Sequence, residues 1–581
     1  MQSDFNRLRV RAGGAAALAI ALSVGVSAPF AARAIAAASE RSEPTTAGAV
    51  RYGMLSAKAA RTMAEREISQ AQLRDYLTFI ASDELEGRDT PSKGLDIAAR
   101  YIASHLSRWG LKPAGGDGSY FQKMTLVRRG FDPAKSTAAL GDKPLRFGED
   151  FLFTGSGAAP GEGGLVFVGH GWVVKSKNID AYQGADVKGK FLVVVSAGFG
   201  PPGVRMNELN RDGEGTDWLS PEQYAAKNGA LGVLRLPATA DDEAFRRSLR
   251  FLGRGSFAPE GIAPRPGRGG SGGGGTLPVI QVSPAVARGL LDGEKLSLDD
   301  AQKAARAADA PAVTAFALAD AKRLKVSPAY VEEKATTQNV VAVLEGSDPK
   351  LRDEYVALGA HYDHVGVSTR GSAGGDVIFN GADDDGSGTV ALMAVAEALA
   401  RNPKERPRRS VLFVWHCGEE KGLWGSEHFT KNPTVPLEKI VTQINIDMIG
   451  RSRKPNDADP RNANLSEPHQ IYVIGAKKLS TQLGTLAEKV NKGFRNIAYD
   501  YRYDDPNDPN RFYYRSDHYN YAKNGVPIIF FFDGVHEDYH QVGDEVDKID
   551  FDKLEKVTQT VLLTTVEVAN LPQRPVVDGK N

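Results

Sequence analysis

Five separated stretches of the 581-residue chain carry side chains that could hold a cation or move a proton. AHYDH brings His361 and Asp363, NGADDDGSG brings Asp383, Asp384 and Asp385, and WHCGEE brings the adjacent glutamates Glu419 and Glu420. INID brings Asp447, and HEDYHQVGDEVDKID brings His536 and His540. Each alone has an ordinary structural reading: a histidine can end a strand, an aspartate run can cap a helix, and a charged pair can be solvated. Gathered in one place, however, the carboxylates would repel one another unless a cation sat among them. Imidazole and carboxylate without thiolate suit zinc, with cobalt or manganese as substitutes, whereas calcium and magnesium favour oxygen alone. Two histidines and at least three carboxylates exceed the three protein ligands that one catalytic zinc takes. Two metals about 3.5–4 Å apart, bridged by one carboxylate, use them all. The spacing does not choose which of the three consecutive aspartates is the bridge.

Such a cluster needs elements that deliver its members to one edge. Apolar runs NVVAVLEG, EYVALGAHYDH, SVLFVWHC, VTQINI and VPIIFFFDG alternate with the helical patterns TVALMAVAEALARN, STQLGTLAEKVNKG and FDKLEKVTQTVLLTTVEVANL. Strands that are apolar throughout are buried on both faces, so the alternation predicts an α/β fold with a mostly parallel central sheet flanked by helices. Ligands bind such sheets beyond the carboxyl ends of the strands, which is where the five stretches fall. Upstream, AQLRDYLTFIASDELEG and DIAARYIASHLSRWGLKP space their apolar residues as helices. Residues 140–315 differ, with short β-rich runs separated by glycine and proline and a glycine-rich loop at 264–276. The expected organisation is a catalytic domain in two parts, 66–139 and 325–575, interrupted by a β-rich insert at 140–315 and preceded by a polar leader at 39–65.

Balanced charge, 72 basic against 72 acidic residues, gives no basic surface for nucleic acid. The first 38 residues read as a signal peptide: arginines 7, 9 and 11, an Ala-rich apolar stretch, then small residues suited to cleavage. This predicts a periplasmic or secreted protein of bacterial type with no membrane span after cleavage. The only cysteine is Cys417, so no disulfide can form within the chain. A buried thiol at a strand end is its ordinary role. No G-x-S-x-G elbow supports a serine hydrolase.

The motifs AHYDHVG, NGADDDGSG, CGEEKGLWGSEHF, INIDMIG, RSDHYNYAKNGVPIIFF and DYHQVGDEVDKID, in that order, together with ASDELEGRDT, resemble the co-catalytic di-zinc aminopeptidases of bacterial leucyl-aminopeptidase type that carry an inserted protease-associated (PA) domain. The resemblance implies two zinc ions, with His361 and Asp447 on one, Glu420 and His540 on the other, and Asp384 bridging. It further implies that Glu419 is the general base, that Tyr539 stabilises the oxyanion, and that Asp363 orients the ring of His361 from outside the metal shell. The implied substrates are peptides with a free N-terminus. Other outcomes on the same fold are a carboxypeptidase or dipeptidase, a single-zinc glutaminyl cyclase, or a receptor-like protein without catalysis. Oligomeric state and side-chain preference are not written in these motifs.

Overall fold

The computed structural model describes residues 52–579, apart from 155–158, 196–199, 205–207, 210–212, 240–244, 246–256, 262–276, 307–313, 369–374 and 403. The expected signal peptide and the glycine-rich segment 264–276 lie outside the described residues. Among the described residues, no helix is long and apolar enough to cross a membrane.

Three N-terminal helices come first: α1 (Ala57–Glu67), α2 (Gln70–Ile80) and α3 (Lys93–Trp109). Helix α1 falls partly within the expected polar leader. Helix α3 starts where the Ser92 side chain accepts the Leu95 N–H and stops at Gly110, whose φ of 80° suits a residue without Cβ. Between α2 and α3 the chain departs from the helical expectation. Residues Asp83–Arg88 form a tight 3-10 turn in which Glu86, Gly87 and Arg88 all have positive φ.

The central sheet is built from β1 (Phe121–Phe131), β2 (Tyr330–Leu344), β3 (Tyr355–His361), β4 (Ser410–His416), β5 (Ile440–Ile446), β6 (Gln470–Ile474), β7 (Ala498–Asp500) and β8 (Ile528–Phe532). Its order is β1-β2-β4-β3-β5-β8-β6-β7. The four central strands, β4, β3, β5 and β8, run parallel, while β1, β2 and β6 join antiparallel. The parallel strands are buried along their length, save for half-buried Tyr355 at the start of β3, as their unbroken apolar sequences require.

Four further helices belong to this layer: α4 (Gly388–Ala400), α5 (Trp424–Lys431), α6 (Thr481–Lys492) and α7 (Phe551–Asn570). Helix α4 is apolar all round and is correspondingly sandwiched, touching the sheet, α2, α3 and α7. Its one acid, Glu397, is met by Tyr76, Gln72 and Arg401. One core unites α1–α4, α6 and α7 with one face of the sheet. A second core covers the opposite face, where Phe429 of α5 and Tyr521 pack on Leu412, Val414 and Phe530.

Among the described residues, three further sheets lie between β1 and β2, the smallest of them three-stranded and built from Val173–Val174, Ile179–Asp180 and Trp218–Leu219. A six-stranded sheet centres on Phe191–Val195, which pairs in parallel with Leu165–Phe167 and Gly232–Leu236, and a four-stranded sheet lies beside it. These sheets take strands from Thr137–Leu140 through Leu324–Ser327, a slightly wider span than the sequence pattern marks. One strand from this region, Phe257–Pro259, pairs with β1 and so extends the central sheet.

Candidate metal centre

His361 is the last residue of β3, Glu419 and Glu420 lie just past β4, and Asp447 follows β5 directly. Asp384 sits in the turn before α4, and Tyr539 and His540 lie in the loop after β8. Parallel strands end together, so side chains far apart in sequence meet at one edge.

Asp384 is at the centre. Its Oδ1 lies 3.3 Å from His361 Nε2 and its Oδ2 lies 3.1 Å from His540 Nε2. On one side His361 Nε2 is also 3.6 Å from Asp447 Oδ1 and 4.0 Å from Glu419 Oε2. On the other, His540 Nε2 is 2.9 Å from Glu420 Oε2. Asp363 reaches the site differently from the expected carboxylate contact. Its main-chain oxygen is 3.1 Å from His361 Nδ1, whereas its nearer carboxylate oxygen is 3.7 Å away and accepts the Glu419 N–H at 3.2 Å. One residue thereby fixes both the histidine ring and the glutamate backbone.

The three consecutive aspartates have three different environments. Asp385 accepts the main-chain N–H groups of His361, Gly388 and Met448, tying β3, α4 and the end of β5 together. Asp383 accepts the Gly450 N–H at 2.7 Å, and its other oxygen faces His536 at 3.3 Å. Only Asp384 of the three faces both His361 and His540. His536, although in the same loop as His540, belongs to this adjoining network and not to the cluster around Asp384. Asp544 completes the turn by accepting the N–H groups of both Asp383 and Asp384.

Several residues of the site carry no obvious mark in the motifs. His364 brings Nδ1 to 2.8 Å from Glu420 Oε1 and 3.7 Å from Asp384 Oδ2. Ser516 donates to Asp447 Oδ2 at 2.5 Å and accepts from Asn445, which accepts from Gln443. Gln443, Asn445 and Asp447 alternate along β5 and its end, so polar residues at every second place in an apolar strand were the available signal. Arg88 is fully buried, and its guanidinium donates to the main-chain oxygens of Ile80, Tyr362, Asn380 and Gly381. It fastens the tight turn of the N-terminal segment to the loops that carry His361 and Asp384.

Charge in the site is strongly perturbed. Burial opposes ionisation of His361, but the carboxylates of Asp447, Asp363 and Asp384 around it outweigh that and hold its pKa well above the usual 6.5. His540, against burial, is pushed up to about 10 by Asp384 and Glu420. Glu420 is drawn down to about 2, because His364 and His540 overcome burial and the repulsion of Asp384. Glu419 goes the other way: burial, which His361 offsets only in part, raises its carboxyl well above the ordinary range, with Glu420 and Asp447 adding to the effect. Cys417 is buried and its thiol is raised by burial, so it is no nucleophile.

The donor set fits a cation. His361 Nε2, His540 Nε2 and Glu420 Oε1 are buried and have no hydrogen-bond partner, though each lies within 4 Å of an oppositely chargeable atom. The nearby trio His536, Glu537 and Asp538 does not fit in the same way, since Asp538 is already paired with Arg451 and Lys548, each at 2.9 Å.

Residues 339–565, from within β2 to within α7, match the model of peptidase family M28. Over these residues the chain is similar to that family. They include every residue of the cluster. Among curated proteins, a probable leucine aminopeptidase 2 of Aspergillus oryzae is 30% identical over 241 residues, 41% of this chain and 40% of its own length. Leucine aminopeptidase 2 of Arthroderma otae is 28% identical over 271 residues, 42% of this chain and 48% of its own length. The chain thus spans about two-fifths to one-half of these relatives' length. Among solved structures, an aminopeptidase from Aneurinibacillus sp. strain AM-1 aligns over 90% of this chain and 98% of its own, at 17% identity and a TM-score of 0.48.

Proposed function

We propose that the protein is a zinc-dependent exopeptidase that removes N-terminal residues from peptides, with two zinc ions held by His361, Asp384, Asp447, Glu420 and His540. The observation that carries this reading is the division of Asp384, one oxygen toward His361 and the other toward His540. A carboxylate so placed is suited to bridge two cations.

Zinc, when bound, supplies Lewis acidity and lowers the pKa of water toward neutrality. Glu419 takes a proton from the attacking water and returns it to the leaving amine. The Tyr539 oxygen accepts a hydrogen bond from Arg515 at 3.2 Å, which leaves the phenolic proton free for the oxyanion of the substrate. Its ring stacks on that of His540 with centroids 4.0 Å apart, holding the phenol beside the cluster. The surrounding carboxylates favour a substrate's α-ammonium group and so select a free N-terminus. Within the same reading, the sheets between β1 and β2 form an inserted PA-like domain, at residues 140–315 by the sequence pattern. That domain supplies no ligand and flanks the cleft, and the protein is exported.

The test uses the zinc-loaded full chain with leucyl p-nitroanilide and its N-acetylated form. The expected result is turnover of the free amine alone, abolished by chelation and restored by zinc. Equal turnover of both would remove the exopeptidase assignment, and no turnover with zinc bound would favour the receptor-like alternative.

A further inference from the structure

We propose that His364 is a fourth protein ligand on the Glu420–His540 side, so that the two metal positions are unequal. This rests on the metallopeptidase reading above.

The His364 ring is buried, and neither of its nitrogens has a hydrogen-bond partner. Leaving a buried polar group unpaired is costly, so a native structure that does this twice in one ring calls for an explanation. The ring is not loosely placed. It packs on Gly381, where an added Cβ would fall 2.6 Å from its Cγ and Cδ2, and it meets the His540 ring edge-on at 5.6 Å. Nδ1 points between Glu420 Oε1 at 2.8 Å and Asp384 Oδ2 at 3.7 Å. The Glu420 oxygen is itself unpartnered despite that short separation, so the two atoms approach closely without hydrogen-bond geometry. His361 Nε2 and His540 Nε2 are in the same condition: buried, directed at carboxylate oxygens, and bonded to none. Donor atoms crowded together in this way are arranged for a shared cation.

Counting donors then divides the site. His361, Asp447 and Asp384 Oδ1 offer three on one side, whereas His364, His540, Glu420 and Asp384 Oδ2 offer four on the other. Four protein donors close a tetrahedral zinc site, and three leave a position for water or substrate. The four-donor side fills first and holds its metal firmly. The three-donor side, beside Glu419, exchanges more readily and receives the substrate.

The competing role for His364 is a proton donor that merely orients Glu420. Zinc would be titrated into the metal-free full chain against a competing chelator, for the unaltered protein, His364→Ala and His364→Gln, and the one-zinc form would be examined by X-ray absorption. The expected result is two unequal binding steps and two imidazoles on the first zinc. His364→Ala and His364→Gln should both drop to one imidazole and weaken the tight step by more than about 100-fold, beyond the cost of losing an outer hydrogen bond. A single imidazole on the first zinc of the unaltered protein overturns the proposal while leaving the peptidase reading intact, and that count does not depend on either variant folding. Failure of the unaltered protein to bind zinc overturns both.

Discussion

The guanidinium of Arg88 donates a 3.0 Å hydrogen bond to the main-chain oxygen of Gly381, three residues before Asp384. The same group reaches Asn380 and Tyr362, so a residue from the N-terminal segment holds the two loops that flank the candidate metal site. Removing it leaves four buried carbonyl groups without that donor. Arg88→Ala should destabilise the protein by more than about 3 kcal/mol and lower zinc content. Thermal unfolding and elemental analysis measure the two effects, and a variant with unchanged melting temperature would contradict the role.

Glu419 and Glu420 should fail differently. Glu420→Gln weakens a ligand and should lower zinc occupancy. Glu419→Gln should keep zinc while turnover of a leucyl substrate falls by roughly two to four orders of magnitude. Loss of zinc from Glu419→Gln, or near-normal turnover, would reverse the assignment.

Ser516→Ala removes the hydroxyl that donates to Asp447 Oδ2. The ligand then loses its fixed orientation, and zinc affinity should fall by about 10–100-fold with only a small change in folding stability. Chelator competition reads the first quantity and denaturant unfolding the second. An affinity equal to that of the unaltered protein would mean that Asp447 needs no such support.

Tyr539→Phe should lower turnover by about 100–1,000-fold with zinc content unchanged, the worth of one oxyanion donor. A loss confined to KM would place Tyr539 in the pocket wall instead.

In the chelated protein, pH dependence follows from His540. Its pKa rises from 6.5 in the unfolded chain to about 10 in the folded one, so the stabilisation is complete below pH 6.5 and is lost as pH rises through about 10. Melting temperature of the metal-free protein should fall between pH 6.5 and 10, and less steeply in His540→Ala. The zinc-loaded protein should show a flatter profile over that window, because the cation replaces the proton.

The strands that deliver the ligands were legible because burial on both faces leaves unbroken apolar runs, as in SVLFVWHC before Glu419 and VTQINI before Asp447. The path of the chain around the ligands was less so. ELEGR continues a helical spacing, yet the turn at Glu86–Arg88 takes positive φ because Gly87 closes on the carbonyls of Gly366 and Phe379, where a Cβ would come within 2.5 Å. That contact is between segments almost 280 positions apart, and no local pattern encodes it. Asp383, Asp384 and Asp385 were indistinguishable by spacing for a related reason. Their environments differ through partners contributed by β3, α4, the end of β5 and the loop after β8. His364 stood in plain view within AHYDH, but the ordinary reading of a second histidine beside a ligand is structural.

Phe131 at the end of β1 and Tyr330 at the start of β2 are direct antiparallel partners, with eleven paired positions from there to Val340 opposite Phe121. The chain therefore leaves the central sheet and returns to it at adjacent points on one ladder. Between them, among the described residues, only Phe257–Pro259 adds a strand to the central sheet, at its β1 edge, so a tight hairpin joining those two residues would seal the gap without shifting any strand that ends at the candidate site.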